Sequence, residues 1–252
     1  MKILVGCKLV PEDQDIAVNS DGSLDMSKAA PKISQFDLNA IETAVGIKKA
    51  NADTTITALS VGGKYLENVK IKKDMLSRGP DELVVVSNEK YENILPHQTA
   101  QIMADSAKEV GFDLIICGDG SGDLYAQQTG IRLGAILDVA TLSGVSKIVA
   151  VDAQQVVVER ALENEIEVLE VPLPAVICVS ADINEPSIPG MKAILGAGKK
   201  PVNVLDLGTE NSNVVELVEI KAPKSKDRLH IIIDGDSDDQ IEEFASHLRK
   251  II

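Results

Sequence analysis

Residues 114–130 pass from a strand to a helix through a loop rich in glycine, and this stretch constrains the fold more than any other. Leu114 to Cys117 is a short apolar run, which is typical of a buried strand. Small and apolar residues then recur at helical spacing at Ala126, Gly130, Leu133, Gly134 and Leu137. A strand that gives way to a helix within a few residues is the repeating unit of α/β proteins.

The loop in this stretch has the features of a phosphate site. Three glycines can take positive φ and leave backbone N–H groups uncovered: Gly118, Gly120 and Gly122. Asp123 is expected to cap the new helix, whose N-terminus carries partial positive charge, or to meet a ribose hydroxyl. The loop matches neither the G-x-G-x-x-G pattern nor the G-x-x-x-x-G-K-[ST] pattern. A glycine-rich loop that binds no ligand therefore stays open as an alternative.

Strands and helices alternate throughout the first half of the chain. The patterns predict strands over residues 2–7, 55–61, 82–86 and 114–117. They predict a first helix that starts near Ser34, where Ser34 or Asp37 can cap it, and two further helices over residues 66–78 and 96–110. This order predicts a doubly wound α/β fold, with a mainly parallel sheet covered by helices on both faces.

The second half of the chain is more varied. Residues 156–160 and 165–171 alternate polar and apolar side chains, which predicts an antiparallel extension of the sheet, and residues 172–180 read as a buried strand. Residues 181–201 are expected to form an exposed segment, residues 201–226 an extended arm, and residues 229–234 a strand. The last helix should carry one apolar stripe, formed by Ile241, Phe244, Ala245, Leu248 and Ile251.

We expect two regions in this chain. Residues 1–200 should form a nucleotide-binding α/β domain, and residues 201–252 a C-terminal arm, strand and helix. An apolar strand and helix that follow a polar arm need a surface to pack against. That surface could belong to the same core or to another chain.

The charge and the composition exclude several function classes. Twenty-five Lys and Arg against 39 Asp and Glu give a formal charge of −14, so nucleic acid and anionic membranes are poor partners. The sequence predicts no membrane insertion, no signal peptide and a cytoplasmic location. Three cysteines follow apolar strands and are expected to be buried free thiols: Cys7, Cys117 and Cys178. Neither the histidines nor the acidic run at residues 234–239 has the spacing of a metal site.

The segment around residues 183–200 holds apolar residues in a context rich in proline and glycine. These are Ile188, Met191, Ile194 and Leu195. A purely solvated loop would carry fewer apolar side chains, so a docking surface and a positively charged loop are both open interpretations.

Three stretches together resemble the β subunit of electron transfer flavoprotein, especially its bacterial FixA-like branch. The first is the loop Cys117-Gly-Asp-Gly-Ser-Gly-Asp-Leu-Tyr-Ala-Gln-Gln-Thr-Gly130, which is similar to the family's adenine-nucleotide loop. The second, residues 158–178, resembles the family signature of a basic residue and an acidic cluster before a proline and a buried strand. The third, Asn184-Glu-Pro-Ser-Ile-Pro-Gly-Met-Lys-Ala193, is similar to the loop that recognises partner dehydrogenases.

The resemblance implies a fold of the adenine nucleotide alpha hydrolase-like type and a role as an electron carrier. It implies a heterodimer with an α subunit that holds most of the principal FAD, and a site in this chain for AMP or a second FAD. The partners would be acyl-CoA dehydrogenase-like or other redox proteins, including dehydrogenases or reductases of acyl-CoA or carnitine-related pathways. The flavin would do the redox chemistry, so no catalytic residue is expected.

By position, the resemblance also implies two sets of site residues. The cofactor-binding set is Gly6, Cys7, Ser34, Gln35, Phe36, Asp37, Val61, Gly118, Asp119, Gly120, Ser121, Gly122, Asp123, Leu124, Tyr125, Ala126, Gln127, Gln128 and Thr129. The partner-binding set is Ile188, Pro189, Met191 and Lys192. In this interpretation the C-terminal arm packs on the α subunit. Two other functions stay open, namely a non-redox regulatory homodimer that binds an adenine nucleotide and an ATP-using enzyme.

Overall fold

A nine-stranded sheet runs through the part of the chain that the computed structural model describes, which is residues 1–207, 214–224 and 230–250. The strands are β1 (Lys2–Gly6), β2 (Leu9–Pro11), β3 (Ala17–Val18), β4 (Leu24–Asp25), β5 (Pro31–Ile33), β6 (Thr55–Gly62), β7 (Glu82–Ser87), β8 (Leu114–Gly118), β9 (Ala140–Val151), β10 (Gln155–Ala161), β11 (Ile166–Pro172), β12 (Ala175–Val179) and β13 (Val202–Val204). The helices are α1 (Gln35–Ala50), α2 (Val69–Ser77), α3 (Pro96–Val110), α4 (Thr129–Leu137), α5 (Met191–Ala197) and α6 (Asp238–Leu248).

The order of the strands across the large sheet is β11, β10, β9, β12, β8, β1, β6, β7 and β13. Strand β10 is antiparallel to both of its neighbours, and all the other pairs are parallel. The predicted α/β class and the predicted antiparallel extension are therefore confirmed. The pairs β2–β5 and β3–β4 form two small separate sheets.

Helices cover both faces of the parallel part of the sheet. Ile3 and Val5 of β1 face the cluster that contains buried residues of α1 and α2, whereas Leu4 faces the cluster that contains buried residues of α3 and α4. Because alternate residues of a strand point to opposite faces, a fully apolar strand is buried on both sides. This explains why the strands read as continuous apolar runs.

The chain divides into two compact units. One comprises Met1–Ala17 with Asp25–Val218 and contains the large sheet, and the other comprises Val18–Leu24 with Glu219–Ile252. In the second unit Ser23 pairs with Lys221, and α6 begins with a capping box between Ser237 and Gln240. Within α6, Ile241 and Phe244 are more than half exposed.

Several predicted elements differ from the observed ones. The helix predicted over residues 66–78 is interrupted at Asn68, whose side chain accepts from Lys70 N and caps α2. The segment predicted to be exposed at residues 181–201 contains α5, which was not predicted, and the predicted arm begins with β13, which pairs with β7. A short helix bounded by Gly190 and Gly198 has too few turns to show helical periodicity.

The prediction of a strand over residues 229–234 is wrong for its described residues, 230–234. Residues 230–234 are not in a strand, and His230 has a φ of 50°, which is outside the extended region. Leu229 of that prediction, and Ile251 of the predicted helical stripe, lie outside the described residues. No helix in the described ranges is both long and apolar enough to cross a membrane.

Candidate functional site

A cleft opens at the carboxyl ends of β1, β6, β8 and β12, within the unit that contains the large sheet. From β1 the chain first builds outward through β6 and β7 and then returns to place β8 on the other side of β1. The strand order therefore reverses between β1 and β8. In open α/β sheets ligands bind at this switch point, outside the carboxyl ends of the strands.

Most of the predicted cofactor-binding residues line this cleft. They are Gly6, Cys7, Asp37, Val61, Gly118, Asp119, Gly120, Ser121, Leu124, Ala126, Gln127, Gln128 and Thr129. Six predicted residues lie outside the lining, namely Ser34, Gln35, Phe36, Gly122, Asp123 and Tyr125. The fold thus brings together predicted residues from four separate segments of the chain. That these residues bind a cofactor stays a prediction.

The cleft also has lining residues that the sequence did not nominate. They are Lys8, Leu59, Ile94, Pro96, Thr99, Met103, Cys117, Gly130 and Cys178. Lys8 directly follows β1 and Pro96 begins α3, so the rule that ligands lie near strand ends and helix starts could have found both. Met103 and Cys178 depend on how α3 and β12 pack, which the local sequence does not specify.

Asp37 joins three segments at the floor of the cleft. It lies in the first turn of α1, and its carboxylate accepts from Lys8 N at 2.7 Å and from Gly118 N at 3.3 Å. The side chain is buried, and burial raises the pKa of Asp37 to about 7 although both N–H groups favour the charged form. The carboxylate thus connects the end of β1, the start of α1 and the end of β8.

Asp123 has a different role from the predicted one. The prediction that it caps the helix is wrong, because α4 begins at Thr129 and Gln128 occupies the N-cap position. The Asp123 carboxylate instead accepts from Lys8 Nζ at 2.7 and 2.6 Å and from Ser121 Oγ at 2.5 Å. Burial opposes ionisation, but the hydrogen bonds from Lys8 and Ser121 outweigh it and lower the pKa of Asp123.

None of the three loop glycines has the positive φ that glycine permits, and two of them, Gly118 and Gly120, are closely packed instead. The left-handed residues in the loop are Tyr125, with a φ of 45°, and Gln127, with a φ of 53°. A Cβ added to Gly118 would lie 2.5 Å from Phe36 Cβ and 2.8 Å from Asp37 Oδ1. Glycine is therefore required at position 118 because α1 approaches the loop closely.

The start of α4 offers hydrogen-bond donors. The first backbone hydrogen bond of the helix runs from Arg132 N–H to Gln128 O, at 2.9 Å. The N–H groups of Thr129, Gly130 and Ile131 have no acceptor within the described ranges. Free N–H groups and the positive end of the helix dipole together suit an anion.

Acidic groups lie close to the same cleft. Asp119 accepts from Gln127 Nε2 at 2.8 Å and from Gly144 N at 3.3 Å, so its carboxylate is held by two donors. A phosphate in this cleft must therefore lie nearer to the start of α4 than to Asp119.

The three cysteines are buried free thiols, as predicted. Burial raises the pKa of Cys7 and of Cys117 well above the ordinary value, and it raises the pKa of Cys178 to about 12. These thiols therefore stay protonated at neutral pH and are poor nucleophiles. They contribute an apolar floor to the cleft.

The predicted partner-binding residues lie on the surface at the start of α5. Ile188 is 92% exposed, Met191 and Lys192 begin α5, and Pro189 lies between the loop and the helix. Helix α5 packs beside α2, and Met191 and Leu195 are each 72% exposed. The surface therefore presents a group of apolar side chains to solvent.

The fold and the cleft together define an α/β protein with an open cleft at the switch point of a parallel sheet, the place where such sheets bind ligands. A family model described as the electron transfer flavoprotein domain matches residues 22–210, about three quarters of the chain. The chain belongs to the electron transfer flavoprotein family. Proteins of this family are flavin-associated electron carriers and not enzymes in themselves.

Proposed function

We propose that this chain is the β subunit of an electron transfer flavoprotein, of the bacterial FixA-like branch. With an α subunit it would form a cytoplasmic heterodimer that carries electrons between dehydrogenases or reductases and another redox partner. The observation that carries the proposal is the cleft at the β1–β8 switch point, in a chain that belongs to this family.

The cleft is proposed to hold AMP or a second FAD. The free N–H groups at Thr129, Gly130 and Ile131 fit a phosphate, and the side chains of Gln128 and Thr129 stand beside them in the lining. The apolar floor, which includes Cys117, Cys178 and Met103, fits the flat face of a base. The residues present therefore suit an adenine nucleotide.

The principal FAD is proposed to lie mainly on the α subunit. The chain has three Phe, three Tyr and no Trp, and its one ring pair in the described part, Phe36 with Tyr125, lies outside the lining of the cleft. A flavin bound by this chain alone would have few rings to stack on. When bound, FAD would supply the one-electron and two-electron chemistry, and the protein would position it and exclude water.

Two exposed surfaces support the proposed partners. The apolar side of α6, with Ile241, Phe244 and Leu248, could pack on the α subunit. The surface with Ile188, Pro189, Met191 and Lys192 could dock an acyl-CoA dehydrogenase-like protein, for example one of a carnitine-related pathway. Exposed apolar groups of this kind are typical of interaction sites.

Co-expression with a candidate α subunit tests the proposal. We expect a yellow two-subunit complex, whose extracted nucleotides are counted by chromatography. One FAD with one AMP would indicate simple electron transfer, and two FAD would place the second flavin in this cleft. A colourless homodimer that binds adenine nucleotides and ignores every flavoprotein partner would replace the proposal with the regulatory function. ATP turnover by the isolated chain would instead favour an ATP-using enzyme.

A further inference from the structure

Lys8 is the one cationic side chain among the residues that line the cleft in the described part of the chain. The carboxylates of Asp37 and Asp119 line the same cleft, and that of Asp123 binds Lys8 at its edge. An anionic ligand that enters this cleft therefore meets one positive side chain and several negative ones. The position of that charge therefore affects how well a phosphate fits this cleft.

Hydrogen bonds hold Lys8 both at its backbone and at its ammonium group. Its backbone N–H donates to Asp37, and its ammonium group donates to the two carboxylate oxygens of Asp123 at 2.7 and 2.6 Å. An ammonium group has three N–H donors, so one is left for a ligand. The Lys8 side chain is 41% exposed in relative area, so the ion pair does not bury it.

We propose that Lys8 recognises the phosphate of the bound nucleotide and that Asp123 holds the Lys8 side chain in position for it. This inference rests on the proposed function, in which an adenine nucleotide occupies the cleft. Lys8 then acts with the N–H groups at the start of α4, which lie in the same lining through Thr129 and Gly130. Because the ion pair orders the long lysine side chain before the ligand arrives, binding loses less side-chain entropy.

A purely structural function of the Lys8–Asp123 pair is the main competing explanation. The pair connects the end of β1 to the loop after β8, so its loss could loosen the cleft for any ligand. The two explanations differ in what they predict for ligands with and without a phosphate. Loosening should weaken AMP and adenosine equally, whereas phosphate recognition should affect AMP alone.

The experiment measures the Kd of AMP and of adenosine by calorimetry. It uses the full chain, with its α subunit where the two co-purify, after bound nucleotide is removed. We expect Lys8→Met to weaken AMP about 10- to 100-fold and to change adenosine less than about threefold, since a charge-assisted hydrogen bond is lost. Lys8→Arg should recover most of the AMP affinity, because it keeps the charge.

Two further variants complete the design. Lys8→Gln can still donate to Asp123 and so keeps the connection between the segments, yet it should lose AMP affinity as Lys8→Met does. Lys147→Met is the matched control, because Lys147 also forms an ion pair, with Glu159 at 2.8 Å, but lies outside the cleft lining. This variant should leave both Kd values unchanged. Melting temperatures report whether each variant folds.

The outcomes separate this inference from the proposed function. Equal losses of AMP and adenosine, or unchanged AMP affinity in Lys8→Gln, would overturn the role of Lys8 while leaving the nucleotide site intact. A wild-type protein that binds neither AMP nor FAD would remove the nucleotide site itself. A selective loss of AMP that Lys8→Arg reverses would support phosphate recognition by Lys8.

Discussion

Asp37 shows how a single buried carboxyl can hold three segments together around a cleft. A buried charge is unfavourable unless donors surround it, and here two backbone N–H groups point at the carboxylate. Other charged or titratable groups nearby are Lys8, Asp123, Cys7, Cys117 and Cys178. The cost of burying the Asp37 charge is therefore offset only in part, which is why its pKa is about 7.

The pKa of Asp37 predicts how folding stability depends on pH. In the unfolded chain the group titrates near 3.8 and in the folded protein near 7, so the folded state binds more protons between these values. The free energy of unfolding should therefore fall as pH rises through this window, by up to about 4 kcal/mol from this group. Asp37→Asn removes the titration and should flatten the curve.

Urea unfolding at several pH values between 4.5 and 8 measures this effect. The difference between wild type and Asp37→Asn isolates the group, because the other carboxyls are common to both proteins. Asp21→Asn is a control, since Asp21 is exposed and hydrogen bonds from Ser23 lower its pKa. Parallel curves for wild type and Asp37→Asn would show that Asp37 is ionised throughout.

The residues of the site were predictable from the sequence where they follow strands. Gly6, Val61 and Gly118 each lie at a strand end, and a parallel sheet brings such ends together. The positive φ of Tyr125 and Gln127 was not predictable, because non-glycine residues adopt it only when the surrounding packing imposes it. The ion pair between Lys8 and Asp123 joins residues 115 positions apart and depends on the finished fold.

At the scale of elements, Gly130 determines how closely α4 packs on the sheet. A Cβ at this position would overlap Cys178 Sγ of β12 and would lie 3.4 Å from Cys117 Cβ of β8. The helix therefore packs directly over two strands. Sequence spacing placed Gly130 on the packed face of the helix, but the near contact with β12 follows only from the strand order.

Gly130→Ala should destabilise the protein by about 1–3 kcal/mol, because α4 must move away from Cys178. The matched control is Gly46→Ala in α1, where an added Cβ meets no atom within 4 Å. That change should be neutral or should stabilise by up to about 1 kcal/mol through helix propensity. Urea midpoints of the two variants provide the comparison. A Gly130→Ala protein as stable as Gly46→Ala would mean that α4 shifts without cost.

Element boundaries were predictable where side-chain periodicity is long and uninterrupted. Helix α3 spans Pro96–Val110, as predicted, because proline starts it and Gly111, with a φ of 76°, follows its end. Helix α5 and strand β13 were missed because each is short, and because β13 is defined by its pairing with β7 and not by its own sequence.

At the scale of the whole molecule, the chain combines a well-buried sheet with surfaces that carry exposed apolar side chains. Ile188, Met191 and Leu195 are all more than two thirds exposed. These three side chains take no part in the core, which is built from the strands of the large sheet and from helices on both of its faces. Exposed apolar groups of this kind are typical of surfaces that a partner protein covers.

Ile188 is expected to be the apolar anchor for a redox partner. It is 92% exposed, so Ile188→Ala should change the free energy of unfolding by less than about 0.5 kcal/mol and should leave the bound nucleotides unchanged. Electron exchange with an acyl-CoA dehydrogenase-like partner should slow about 10-fold or more if Ile188 lies at the centre of the contact. Stopped-flow measurement of flavin absorbance with the two-subunit complex gives this rate.

Ile166→Ala makes the same truncation on β11, where the side chain is 66% exposed, and should exchange electrons at the wild-type rate. Equal rates for Ile188→Ala and wild type would remove Ile188 from the docking surface.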